Sequence, residues 1–320
     1  MARLLVTGAS GLLGANLVLT AAGTHEVVAV CHRHPIRLDG VRTICADLSQ
    51  PGVAGRLFQE ELPEWVVHCA AATDVDACEE DPEWADRLNR SMAGEVAVAT
   101  RGVGARLTHI STDAVFDGEK GNYTEDDVPT PINTYGRTKL AGERAVLEAY
   151  PEAMVVRTNI FGWNVQQKQS LAEWFLANLE AGQECNGYED VWITPILAND
   201  LAEILVRMLA TGMRGLYHVA GADCVSKYEF GLKLAEVFGL DGSLIRPISV
   251  DEAGLKARRP KRLCLRTNKM NMHGREIGGI AIRHGIIRLR DLKTKGESAR
   301  VRMVAQTGPA QSPPSGSLRD

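Results

Sequence analysis

The sequence has no apolar stretch long enough to span a bilayer, and Met1-Ala2-Arg3 runs straight into Leu4-Leu5-Val6 without the zones of a secretory leader. The expectation is therefore a cytoplasmic protein with no membrane partner. Paired cysteines are also missing: Cys31, Cys45, Cys69, Cys78, Cys185, Cys224 and Cys264 are odd in number and scattered, with no C-x-x-C. They read as reduced thiols that mostly pack. No metal is expected, because the nearest approach to a ligand set, Cys31-His32-x-His34, leaves the end of a strand in directions that cannot converge. Nor is there a net positive charge: the formal value of -4 argues against general nucleic-acid affinity. Locally, however, Lys256, Arg258, Arg259, Lys261, Arg262, Arg266, Lys269 and Arg275 crowd together, either to meet an anionic ligand or as a solvated basic surface.

What is present is material for a large core, 45% hydrophobic residues in 320, enough for one large or two medium domains. Apolar strands alternate with helical patterns: strand Arg3–Val6, helix Gly11–Ala22, strands Glu26–Cys31 and Val41–Ala46, helix Gly52–Leu62 and strand Trp65–His68. A helical stretch around Glu83–Thr100, strand Arg106–Ile110, a helix after Asn133 and strand Met154–Arg157 continue the rhythm. Repeated β-α units of this kind predict an α/β fold with a doubly wound parallel sheet over 1–158. Residues 159–292 are less regular and read as a smaller mixed α/β substrate-binding region, some of whose elements return to the first domain. Its helices are expected at Leu171–Ala181, Asp200–Ala210 and Lys227–Phe238, the last opened by a Ser226/Glu229 capping box. Beyond Asn268 an amphipathic closing helix is not evident, and 293–320 is expected to be a disordered tail.

Thr7-Gly8-Ala9-Ser10-Gly11-Leu12-Leu13-Gly14 falls between the first strand and the first helix, where a glycine-rich loop can cradle a dinucleotide. Gly8 permits the turn, Gly11 exposes backbone N–H groups to a pyrophosphate, and Gly14 lets the helix lie on the strand, with Ser10, Leu12 and Leu13 lining the same turn. Tyr135 and Lys139 stand four apart on one helical face, so an ammonium is placed to lower the phenol's pKa for proton exchange with a carbonyl or alcohol.

The T-G-x-x-G-x-x-G spacing, together with Ser111-Thr112-Asp113 ahead of Tyr135 and Lys139, resembles the extended short-chain dehydrogenase/reductases. The resemblance implies a Rossmann sheet and a catalytic Thr112, Tyr135 and Lys139, with Tyr135 and Lys139 also contacting the nicotinamide ribose. It also implies adenine-side contacts from Asp47 and Leu48 and a cofactor-lining segment Ala70, Ala71 and Ala72. After the second strand no carboxylate awaits a ribose 2′-OH, whereas Arg33 suits a phosphate; NADP(H) is preferred, with NAD(H) possible.

Within that superfamily, Ser111–Gly118, Tyr123-Thr124-Glu125, Pro131 and Tyr135–Glu143 resemble the dTDP-4-dehydrorhamnose reductases and their sugar-nucleotide-binding relatives. This implies reduction of a nucleotide-linked 4-keto sugar held by Thr73, Asp74, Val75, Asp113, Asn159 and Arg259, in what is commonly a homodimer. Ala114 and Ile160 stand where these reductases usually carry aromatics. Dehydration is disfavoured, since Asp113 is followed by Ala114 rather than a second carboxylate. An NAD-dependent 4-epimerase would use the same triad, and a non-catalytic NADP-binding regulatory subunit would use the fold alone. Glu143, Asp126 and Asp127 read as surface charges.

Overall fold

The computed structural model describes the chain except residues 167, 272–278, 295, 297–301 and 304–320. Seven parallel strands form the main sheet: β1 (Arg3–Thr7), β2 (Glu26–Cys31), β3 (Arg42–Cys45), β4 (Trp65–His68), β5 (Arg106–Thr112), β6 (Met154–Thr158) and β7 (Gly215–His218). Their spatial order is β7-β6-β5-β4-β1-β2-β3, so the winding reverses between β1 and β4, at the crevice where such sheets bind ligands. The strands read as near-continuous apolar runs because both faces are covered. Leu4, Val6 and Val67 pack against Leu13 and Leu17 of helix α1 (Leu12–Ala21) and against Leu201 and Leu205. Their neighbours Leu5, Val28 and Val66 point the other way, to Phe58 and to Val96 and Val146.

Those last residues belong to helices α2 (Val53–Glu61), α3 (Met92–Gly102) and α4 (Thr134–Ala149). Later elements divide between two bodies of core. Helix α6 (Ala198–Ala210) lies on α1, and β7 extends the sheet beside β6. Helices α5 (Leu171–Glu180), α7 (Lys227–Phe238) and α8 (Ile282–Thr294) instead enclose a separate cluster around Phe161, Phe175, Phe230 and Ile286. Ser226 and Glu229 cap α7 reciprocally, and Ser170 with Glu173 does the same for α5.

Helix α8 corrects the expectation that the closing helix is lost. Ile282, Ile286 and Leu289 recur at helical spacing and are buried, while Gly285 leaves room for the Phe161 ring. A glycine and five basic side chains between Arg283 and Lys293 hide that stripe in the sequence; Arg288 joins it to α6 through Asp200 and Glu203. Of the tail assigned to 293–320, Lys293 and Thr294 end α8 and Arg302–Met303 pair antiparallel with Ile36–Arg37; apart from these and Gly296 it lies outside the described residues, as does Arg275.

The cysteines are corrected as well: Cys224 and Cys264 form a disulfide, with Cα atoms 5.6 Å apart, leaving five thiols. Forty residues separate the pair, and only the run of 262–265 past Trp192 and Tyr123 brings them together. Closing a loop of that length restricts the unfolded chain by about 4 kcal/mol. Thiol titration of the denatured, unreduced protein is therefore expected to count five groups. Reduction should lower the unfolding free energy by a few kcal/mol, and seven titratable thiols before reduction would contradict the bridge.

Candidate active site

The β1–α1 turn packs so closely on neighbouring backbone that it admits no side chain at Gly8 or Gly14. Gly8 has φ +62°, and a Cβ there would sit 2.6 Å from the Ala70 nitrogen; one on Gly14 would meet the Gly8 oxygen at 2.2 Å. Gly11 is the N-cap of α1 and has no side chain to satisfy the first-turn N–H groups, which remain as donors for an anion. The buried Ser10 accepts from Gln166 Nε2 at 3.1 Å, and its carbonyl accepts from the same amide at 2.9 Å. Gln166 belongs to no motif, so sequence reasoning missed it. This cradle fits a dinucleotide pyrophosphate.

The segment after β4 is pinned at both ends. Ala70 N–H donates to Thr7 Oγ1 at 3.3 Å, while Ala72 N–H donates to Asn89 Oδ1 at 2.9 Å. Asn89 is buried in a π-helical turn, Arg87–Ser91, and its amide also donates to the Ala72 carbonyl at 3.1 Å and Thr138 Oγ1 at 3.0 Å. One side chain thus joins the lining segment to α4. At the far end of the crevice Leu48 is buried, and Asp47 accepts from the Ser49 hydroxyl, the contact that chiefly holds its carboxyl below the usual range. Arg33 lies exposed just beyond β2.

Tyr135 enters through the start of α4. Asn133 caps that helix by accepting from Gly136 N–H at 2.8 Å, and Gly136 passes so close to the Ala114 carbonyl that a Cβ would lie 2.2 Å from it. Those contacts set the helix against the turn that follows Thr112. The Thr112 hydroxyl accepts from Ala114 N–H at 3.2 Å and donates to Asp113 Oδ1 at 3.1 Å, and it stands near enough to the Tyr135 phenol to favour its ionised form. Lys139 is buried and donates from Nζ to the Ile110 carbonyl at 2.7 Å.

The electrostatics differ from the expected acidic phenol. Burial pushes Tyr135 up to about 12, against the opposing influence of the nearby Thr112 hydroxyl, and pulls Lys139 down to about 8, against the favourable charge of Glu143. The ammonium faces the Ile110 carbonyl, so desolvation prevails at the tyrosine. At neutral pH the phenol is protonated and able to donate. Asp113, buried beside it and holding Asn159 Nδ2 at 2.8 Å, is pushed up to about 6 by burial.

Of the remaining sugar-side residues, Asp74 accepts from Ala77 N–H at 3.0 Å as the cap of helix Val75–Glu80, which begins at the half-buried Val75. Thr73 is exposed, with Lys168 Nζ 3.4 Å from its hydroxyl. Arg259 grips Asp76 with bonds of 2.8 and 3.1 Å. Other cations of the basic stretch are also neutralised, Lys256 by Glu80 and Lys261 by Asp190 and Asp251, which leaves much less free positive charge than the sequence suggests. Asp127 remains a loop residue, held at about 2 chiefly by Lys120, beside the exposed Asp126. Glu143 must be corrected: it is 4% exposed and bonded to Ser111 and Arg157, because helical spacing alone does not reveal which face the sheet covers. Ala114 is buried under Gly136, and Ile160 pairs with Ile196 in a short parallel ladder.

A family model described as the RmlD substrate binding domain matches residues 2–280. The chain belongs to the RmlD substrate binding domain family. Among its relatives, a probable low-salt glycan biosynthesis reductase, Agl14, of Haloferax volcanii is 35% identical over 269 residues, covering 81% of this chain and 88% of that protein. The methionine adenosyltransferase 2 subunit beta of Rattus norvegicus is 32% identical over 281 residues, 85% and 82% of the two chains. A dTDP-4-dehydrorhamnose reductase from Bacillus anthracis, solved with NADP, superposes with a TM-score of 0.81 at 28% identity, over 91% of this chain and 99% of that one. With the Rossmann sheet, membership of the RmlD family makes this an NAD(P)-dependent oxidoreductase of the short-chain dehydrogenase/reductase type. No helix among the described residues is long and apolar enough to cross a membrane.

Proposed function

We propose that this RmlD-family protein reduces the 4-keto group of a nucleotide-linked deoxysugar with NADPH. The observation that carries the reading is a buried, protonated Tyr135 near Thr112, packed with Ala72 of the segment whose Ala70 lies against Gly8 of the dinucleotide cradle. Dihydronicotinamide, when bound, supplies the hydride to the carbonyl carbon. Thr112 orients the carbonyl oxygen and Tyr135 gives it a proton, so ketone, hydride and proton become an alcohol; the tyrosinate then regains its proton from solvent. Lys139 would hold the nicotinamide ribose. Gly8, Gly11, Gly14 and Ala70–Ala72 would shape the dinucleotide site, with Arg33 on the 2′-phosphate. Asp113, Asn159, Val75 and the Arg259–Asp76 pair would border the sugar nucleotide.

The test is oxidation of NADPH and NADH against dTDP-, UDP- and GDP-linked 4-keto sugars. Substrate-dependent NADPH consumption is expected, faster than with NADH, and its absence across the panel would defeat the reading. A second reading, a dinucleotide-binding subunit that controls a partner enzyme, is favoured by the relatives named as methionine adenosyltransferase 2 subunit beta. Under it, Tyr135→Phe would leave the biological activity intact.

A further inference from the structure

Tyr135, Lys139 and Glu143 follow one another at intervals of four on α4, three turns of one face laid along the ends of β5 and β6. The first two belong to the triad; the third has been given no task. Its carboxylate is nevertheless buried and accepts three hydrogen bonds. Arg157 grips it in bidentate fashion, Nε to Oε1 at 2.9 Å and Nη2 to Oε2 at 2.7 Å, and the Ser111 hydroxyl donates to Oε1 as well. Ser111 and Arg157 are themselves register partners across β5 and β6, so both point to the same side of the sheet and close on the carboxylate together. Ser111 also precedes Thr112. The clamp therefore ties the helix bearing Tyr135 and Lys139 to the strand bearing Thr112.

Lys139 needs such a neighbour. It is 3% exposed, and its ammonium is met by a neutral carbonyl. Around it stand His68, Cys69 and His109 from β4, the residue after it, and β5; Tyr135 is one turn away on its own helix. Burial keeps both histidines uncharged and raises the Cys69 thiol to about 12, so none supplies a negative charge near neutrality. Glu143, four residues along the same helix face, is the carboxylate placed for its charge to favour the ionised lysine.

We propose that Glu143 is a positioning residue for Lys139: clamped by Ser111 and Arg157, it keeps the lysine an ammonium and fixes it against the nicotinamide-ribose side of the site. The proposal rests on the dinucleotide half of the function proposed above and is independent of which sugar is reduced. It is tested by NADPH binding, followed by nucleotide fluorescence between about pH 6 and pH 10, a range that spans the lysine's titration.

Wild-type affinity should weaken as pH rises through about 8, where Lys139 loses its proton, and Lys139→Met should abolish that limb. Glu143→Gln is isosteric and removes only the charge, so the midpoint should move to lower pH by about one unit, with unchanged near-ultraviolet dichroism. Because the single change strands a buried guanidinium, Glu143→Met with Arg157→Met is the second variant. It strands no guanidinium and should show the same acid shift. A wild-type midpoint in either folded variant, or no alkaline limb in the wild type, would overturn the proposal. A panel of keto sugars that all fail to react would defeat the reductase reading without altering this binding profile.

Discussion

Tyr135→Phe is expected to lower kcat for keto-sugar reduction by roughly 10²- to 10⁴-fold, the range of a lost general acid, while dinucleotide affinity stays nearly unchanged. The expectation follows from burial. A phenol pushed up to about 12 carries its proton throughout the physiological range, so in reduction the donor is always loaded and its removal is felt at every pH. In free-energy terms the loss is about 3–5 kcal/mol of transition-state stabilisation. Phenylalanine keeps the ring packed near Ala72 and Cys78, and Thr112 retains Asp113 as a partner, so the thermal midpoint should barely move. Single-turnover oxidation of NADPH, with a melting curve alongside, separates the two effects. A folded Tyr135→Phe protein that turns over within threefold of wild type, a ratio worth under about 1 kcal/mol, would remove Tyr135 from the chemistry and favour the binding-subunit reading.

The sheet and the dinucleotide loop were legible because they are local. β2 and β4 fall on the expected residues, and the glycines of the first turn occupy the close approaches for which their spacing called. The parts that escaped depend on what lies opposite in space. Nothing in Y-x-x-x-K-x-x-x-E says that β5 and β6 bring Ser111 and Arg157 to the glutamate, nor that the residues around the phenol would desolvate it more than the lysine could favour its ionisation. The basic stretch misled for the same reason. Asp76, Glu80, Asp190 and Asp251 neutralise it from other parts of the chain, and charge counted along a sequence omits partners that folding supplies. The disulfide and helix α8 belong with these cases, since each becomes visible only once Phe161, Trp192 and Tyr123 are in place.

Gly14→Ala is the second change with a large expected effect, because its methyl group would have nowhere to go. The Cβ would stand 2.2 Å from the Gly8 oxygen and 2.8 Å from the Ala9 Cα, both backbone atoms of the loop that must close around the pyrophosphate. No rotamer relieves such a contact; either α1 lifts or the loop opens. The helix is not free to lift, since its Leu13 and Leu17 are packed into a buried cluster with Leu201 and Leu205 of α6. The loop is similarly restrained, because Gly8 lies against the backbone at Ala70 and a shift there would disturb the lining segment. Overpacking of this kind costs about 1–3 kcal/mol of stability, and NADPH affinity is expected to fall by more than about 100-fold because the first-turn donors lose their common aim. Gly23→Ala is the control: nothing lies within 4 Å of a Cβ there, and stability should stay within about 0.5 kcal/mol. Calorimetric titration with NADPH and urea unfolding of both variants make the comparison, and a Gly14→Ala protein that binds as tightly as the Gly23→Ala one would show that the helix does not approach the turn as closely as described.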